Sequence, residues 1–264
     1  MKNIIRLLTL VAMGFSFAAC EEEIDLPLKD AEPKIVIEGN IYDTGDPWLV
    51  LVQETTPFKD QVLFNGLADA VVTITDGNNH TDTLLPASSL GIEIDGVYGL
   101  LGRSTVAGQT YTLRVFVKDQ LFESTSTVFP ATPIDSLYAM SNGFDDALRV
   151  TFDYRDPVGV PNYYKADVVV NGAPYSSNER SDDKFTDGIK KTVMFSDFDD
   201  LKTGDTIDVY FKSVDFNVYQ YFYTLAENTS FVSAAPSNPI SNISNGALGY
   251  FNASSVTKRR LIFP

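Results

Sequence analysis

The chain has 264 residues and a net charge of −15, with 44% hydrophobic and 21% charged residues, a balance that excludes both a disordered chain and a fibre. A single Cys excludes an internal disulfide, and a single His all but excludes a zinc site built from His and Cys. So acidic a surface repels nucleic acid and anionic lipid headgroups.

Residues 1–19 read as a secretory leader. Lys2 and Arg6 give a positive start, Leu7 to Phe15 an apolar run, and Ala18 and Ala19 the small residues before Cys20. The run is too short for a membrane span, which needs about 20 apolar residues. Phe17-Ala18-Ala19-Cys20 resembles the lipobox of bacterial lipoproteins, with Phe in place of the usual Leu. That resemblance implies cleavage before Cys20 and acylation of its thiol and new amine, with more chains than the two that suffice for stable anchoring. Glu21, Glu22 and Glu23 follow and resemble the surface-export signal of Bacteroidetes lipoproteins; the alternative is a solvated acidic tether. Loss of Lys2 and Arg6 with the leader takes the net charge from −15 to −17. The rest of residues 20–33, with Pro27 and Pro33, reads as a linker.

From Lys34 onward, Val, Ile, Thr, Tyr and Phe alternate with turn residues, the pattern of all-β sandwiches. Strands are expected at 34–39, 48–52, 70–75, 81–85, 96–99, 110–117 and 121–128. In the sixth, Tyr111, Leu113, Val115 and Val117 share one face at period two. These strands predict an immunoglobulin-like or transthyretin-like sandwich over 34–130. Pro130 and Pro133 mark a boundary. A second β-rich domain is expected over 134–264, with strands at 134–140, 148–154, 163–170, 191–195 and 206–212 and a hairpin turn at Asn171-Gly172. One short helix is predicted from Asp215 to Leu225, capped by Asp215, with Phe216, Tyr219, Tyr223 and, more loosely, Phe222 along one side; an aromatic strand is the alternative. Gly246 to Phe251 and Thr257 to Phe263 read as a closing strand pair. The fold class is thus all-β, two tandem sandwiches with one helix in the second.

Chemistry is sparse. His80 sits in a polar turn, and no Gly-x-Ser-x-Gly elbow accompanies it. Acidic pairs at Asp145-Asp146, Asp182-Asp183 and Asp199-Asp200 read as surface turns of an acidic protein. A pair set across a cleft would instead suit glycoside hydrolysis. Asp182, Asp183 and Asp187 form a weak calcium candidate, lacking the regular alternation and terminal Glu of an EF-hand. There is no phosphate loop or dinucleotide fingerprint, so no cofactor is expected. Lys258-Arg259-Arg260 is too small a basic run for nucleic acid and reads as a charged, blunted edge strand. Among 13 Tyr and 18 Phe, Tyr163 and Tyr164, with Tyr219, Tyr221 and Tyr223, are the candidates for an exposed aromatic binding surface.

In order along the chain stand Cys20 to Leu26, Pro33 to Gly39, Ala70 to Ile74, Gly108 to Leu113, Ile134 to Leu137, Asn238-Pro239, Ser241 to Ile243 and Gly246 to Phe251. Together they resemble the DUF4249 lipoproteins of Bacteroidetes, a family with no assigned activity, over nearly the whole chain after Cys20. The resemblance implies an outer-membrane lipoprotein, surface-facing, that accompanies a TonB-dependent β-barrel transporter as a noncatalytic accessory binding a ligand or the transporter. An adhesive or structural surface module, and a carboxylate-based hydrolase, are the alternatives. Thr83, Ser136 and Thr206 stand in Asp-Ser/Thr-apolar triplets that match the O-glycosylation pattern of the same phylum.

Overall fold

The computed structural model describes residues 32–57, 64–141, 143, 147–175, 179–195, 201–229 and 237–264. Cys20 and Glu21 to Glu23 lie outside them, as do Asp145, Asp146, Asp199 and Asp200. The residues from Pro33 to Pro264 form one compact unit. Among the described residues no helix is long and apolar enough to cross a membrane.

Among the described residues the fold is all-β with one α-helix, as the sequence pattern predicts. The first seven strands are β1 (Ile35–Tyr42), β2 (Trp48–Glu54), β3 (Val71–Thr75), β4 (Thr81–Pro86), β5 (Val97–Leu100), β6 (Thr110–Val117) and β7 (Gln120–Thr127). Then come β8 (Ile134–Ser141), β9 (Leu148–Arg155), β10 (Tyr163–Val170), β11 (Ala173–Tyr175), β12 (Arg180–Asp182), β13 (Lys190–Met194) and β14 (Thr206–Val214). Helix α1 (Phe216–Thr229) and strand β15 (Leu248–Ile262) complete the chain. Tyr111, Leu113, Val115 and Val117 of β6 all lie in the core, as their period-two spacing requires. Asn171 and Gly172 carry φ of 52° and 84°, the paired positive values of a tight hairpin turn. Asp215 caps α1 by accepting from the Val218 amide at 3.0 Å.

Twelve strands form one sheet, ordered β11-β10-β14-β15-β1-β2-β5-β4-β3-β6-β7 with β12 beside β10; β13-β9-β8 form the second. Two cores result. Ile37 and Ile41 of β1 pack with Leu113 and Val115 of β6 and with Phe251 and Ala253 of β15. Phe152 and Tyr154 of β9 pack across the second interface on Phe211 of β14, with ring centroids 5.1 and 4.6 Å apart.

Strand β15 departs from the expected closing pair. It is one unbroken strand whose residues 248–254 pair in parallel with β1 and whose residues 255–262 pair antiparallel with β14. It joins β14 to β1 in the sheet order, but Lys258-Arg259-Arg260 lie in the half that pairs with β14 alone, so that stretch keeps one strand edge without a paired neighbour among the described residues. Lys258 and Arg260 are ion partners of Asp208 on the neighbouring strand, at 3.6 and 2.7 Å. Gly249, at φ 95°, allows the parallel approach, because a Cβ there would strike the carbonyl oxygen of Ile37.

Candidate functional site

Strands β10 and β14 are antiparallel neighbours, so their side chains divide between two faces. Tyr164, Ala166, Val168, Ile207, Val209 and Phe211 point into the second core. The alternate residues Lys165, Asp167 and Val169 face outward beside Tyr210 and Lys212. The register sets Lys165 opposite Lys212 and Asp167 opposite Tyr210. Two like charges directly opposed are destabilising, and Asp167 resolves the conflict. Its Oδ1 accepts from Lys165 Nζ and its Oδ2 from Lys212 Nζ.

Both ammonium groups are nearly out of solvent, with side-chain exposures of 11% for Lys165 and 10% for Lys212. Lys165 stacks over the Phe222 ring of α1 at 4.6 Å, and Lys212 over the Tyr42 ring at 4.5 Å. Lys212 also donates to Tyr42 Oη at 2.8 Å. Tyr42 in turn donates to Asn40, and Asn40 to Tyr250, both at 3.0 Å. Burial works against the charge of Asp167, yet Lys212 and Lys165 outweigh it and hold the carboxyl at about 2. Burial also works against the charge of Lys212, but Tyr42 and Asp167 prevail and raise its pKa. For Lys165 burial wins, and the pKa falls below that of a free lysine.

Asp167 and Lys212 of this network floor a cleft of about 430 Å³ on the outward sheet face. Tyr42, Val169, Tyr175, Tyr210 and Val256 supply its walls, with Thr44 and Asp46 among its polar lining. Both its size and its mainly apolar wall around a few polar groups are those of a small-molecule site. A wider groove of about 640 Å³ runs past Arg114, Glu123 and the 241–244 segment. It is open and polar, and Arg114 and Glu123 already pair with each other at 2.6 Å.

The cleft residues escape a search for motifs. The available signal is Lys165-Ala166-Asp167, opposite charges at period two inside an otherwise apolar strand. Their meeting with Lys212 depends on a strand register that no local pattern specifies.

The five tyrosines expected at the surface divide. Tyr164 and Tyr221 are buried, which corrects the expectation for both. Tyr164 belongs to the second core and donates to Asp156 at 2.6 Å, while Tyr221 packs on Tyr250 at 4.8 Å. Tyr163, Tyr219 and Tyr223 are partly or fully exposed and form a ladder with Phe216. Ring centroids are 5.3 Å apart for Tyr163 and Phe216, 5.2 Å for Tyr163 and Tyr219, and 6.0 Å for Tyr219 and Tyr223.

The acidic loop also regroups. Carboxylates of Asp183 and Asp187 come within 4.8 Å of each other and of Asp156, whereas Asp182 stands apart and accepts from Tyr219 at 3.3 Å. Three acids at that spacing are a donor set of the type hard cations take. In the structure each carboxylate is a loop fastener. Asp156 accepts from Tyr164 and the Gly188 amide, Asp183 from the Asn162 amide and Asp187 from the Gly159 amide. His80 is exposed at the β3–β4 turn, 3.0 Å from Arg103 and 3.5 Å from Asp82. Of the triplet hydroxyls, Thr83 is exposed and Thr206 half-buried, while Ser136 donates to Asp153 at 2.7 Å.

A family model described as a domain of unknown function, DUF4249, matches residues 21–260. No curated protein matches the chain.

Proposed function

The chain belongs to the DUF4249 family, and on that premise we propose that it is a noncatalytic capture protein, anchored to the outer membrane through Cys20 and displayed at the cell surface, that holds a small ligand for a neighbouring TonB-dependent transporter. The observation that carries this reading is the cleft over Lys212. It is concave, mainly apolar, set on paired strands, and floored by charges already fixed in position before any ligand arrives. Preorganisation of that kind lowers the cost of binding. The lipobox-like Cys20 and the acidic run behind it support the membrane address, and tethering raises the local concentration of the protein beside its partner.

The test is affinity capture of the tagged, anchored protein in mild detergent, read by mass spectrometry. Stoichiometric recovery of a β-barrel transporter is the expected outcome. Recovery of the lipoprotein alone, while control membrane complexes stay intact, overturns the transporter partnership. The exposed ladder of Phe216, Tyr163, Tyr219 and Tyr223 favours a second reading, an adhesive surface module, because contiguous exposed aromatics mark protein-binding surfaces. In that case capture recovers another surface protein and no transporter.

A further inference from the structure

We propose that the cleft takes a small organic carboxylate, its acid group seated against Lys212 and its apolar or aromatic body lying along Tyr42, Tyr175 and Tyr210. The assignment rests on the capture reading and adds the ligand class to it.

Charge balance is the first argument. Lys165 and Lys212 share a single carboxylate, Asp167. Buried charges are normally neutralised in pairs, because removal from water is costly and only a counter-ion offsets it. Two ammonium groups against one carboxylate leave this cluster with one positive charge in excess, and of its members Lys212 and Asp167 line the cleft while Lys165 lies outside the lining. The other acids of this face do not supply the missing partner. Asp46 lies at the exposed rim and accepts from Thr44 Oγ1 at 2.7 Å. Glu38, half-buried on β1, has its pKa raised by burial, with no lysine offsetting that effect.

Donor geometry is the second. An ammonium has three N–H groups. Two of those of Lys212 go to Asp167 and to Tyr42 Oη, which leaves a third without an acceptor among the described hydrogen bonds of a residue that lines the cleft. A carboxylate accepts such a donor more strongly than a neutral oxygen does, and the apolar walls strengthen the attraction by keeping water away.

The surroundings narrow the class further. With a net charge of −15, the protein repels anions at long range, which disfavours polyanions. A single carboxylate on an apolar body meets the local positive charge and lets Tyr175, Tyr210, Val169 and Val256 bury the remainder. A cation in the same place would face the unbalanced lysine, and a neutral ligand would leave the excess charge uncompensated.

The test is calorimetry on the full chain with three probes of one shape: 3-phenylpropionate, its amide and 3-phenylpropylamine. The acid is expected to bind at least tenfold more tightly than the amide, and the amine not to bind measurably. Lys212→Met, which leaves Lys165 and Asp167 as a neutral pair, should bring the acid down to the level of the amide. Val256→Trp, which fills the wall without touching a charge, should lose acid and amide together; circular dichroism and thermal melting check that each variant is folded. Equal or tighter binding of amide or amine overturns the anion assignment and keeps the capture reading, as does an acid preference that survives Lys212→Met. No saturable binding by any of the three overturns both the anion assignment and the use of this cleft for capture.

Discussion

Ser126 on β7 donates its hydroxyl to Asp215 at 2.5 Å, across 89 residues of sequence. The same carboxylate accepts from the Thr127 amide at 3.2 Å and caps α1 through Val218. One side chain therefore fixes where the helix starts and holds that start against the first core.

Asp215→Ala removes the helix cap, a loss of about 0.5–2 kcal/mol. It also takes the short acceptor from Ser126, 2% exposed, and leaves its hydroxyl only the 3.5 Å contact with the Ala253 carbonyl, a further loss of about 1 kcal/mol. A drop in melting temperature of several degrees is expected by circular dichroism, with Asp215→Asn retaining part of the cap.

Gly249→Ala tests the parallel approach of β1 and β15. The added methyl meets the Ile37 carbonyl oxygen, and φ at 249 is 95°. Gly204 has the same φ but open space around it. Gly204→Ala should therefore lose about 1 kcal/mol from backbone strain alone, and Gly249→Ala at least about 3 kcal/mol, in urea unfolding.

Asp167→Asn strips two buried lysines of their shared counter-ion. Breaking a buried pair from one side costs about 3–5 kcal/mol. Lys165→Met removes a charge whose own pKa burial has already depressed, so its effect should be within about 1 kcal/mol of wild type. Equal effects from the two variants in chemical unfolding would show that the network is not organised around Asp167.

Asp153 governs part of the acid limb. Its carboxyl is held at about 2, chiefly by the hydrogen bond from Thr192, against the opposing effect of burial and with further help from Ser136 and Lys190. A depressed carboxylate adds stability that is complete above its unfolded value near 4 and is lost as pH falls toward 2. Thermal melts across pH 5 to 2 should show a shallower decline for Asp153→Asn, whose stability at pH 6 is already lower by on the order of 2 kcal/mol.

Cys20→Ala tests the membrane address. Fractionation of cells should find the variant released from the membrane, while the wild type stays with it. A variant that remains as firmly bound as wild type would overturn anchoring through Cys20.

Much of the fold is legible because sandwich strands bury one face only. Alternation then fixes which residues point inward, as in Tyr111, Leu113, Val115 and Val117. The same rule accounts for the misplaced Tyr164. Adjacent residues on a strand face opposite ways, so Tyr163 and Tyr164 cannot both be exposed, and Ala166 and Val168 continue the buried set through Tyr164. Tyr221 turns inward because helical spacing sets it against Tyr250, a residue of the last strand that local pattern cannot bring near. The cleft was the least legible part. Asp167 and Lys212 are 45 residues apart, and only the β10–β14 register makes them neighbours. Likewise the parallel pairing of β1 with β15 joins sequences too distant for any turn signal, and the long final strand therefore resembled two short ones.

That final strand also imposes an order in time. Asn40 and Asn252 touch across 212 residues, and Ile243, Ala247, Phe251 and Ala253 fill a core otherwise built from residues before 130. A nascent chain that has emerged only as far as Pro133 has β2 beside β1 but not the neighbour on its other side, and its core has a hole where the last strand belongs. Contacts of such long range slow folding, and here they defer completion of the N-terminal core until the far end of the chain is available. On the exported address proposed above, such a delay would keep the body threadable through most of its synthesis, to lock shut only when its last strand arrives.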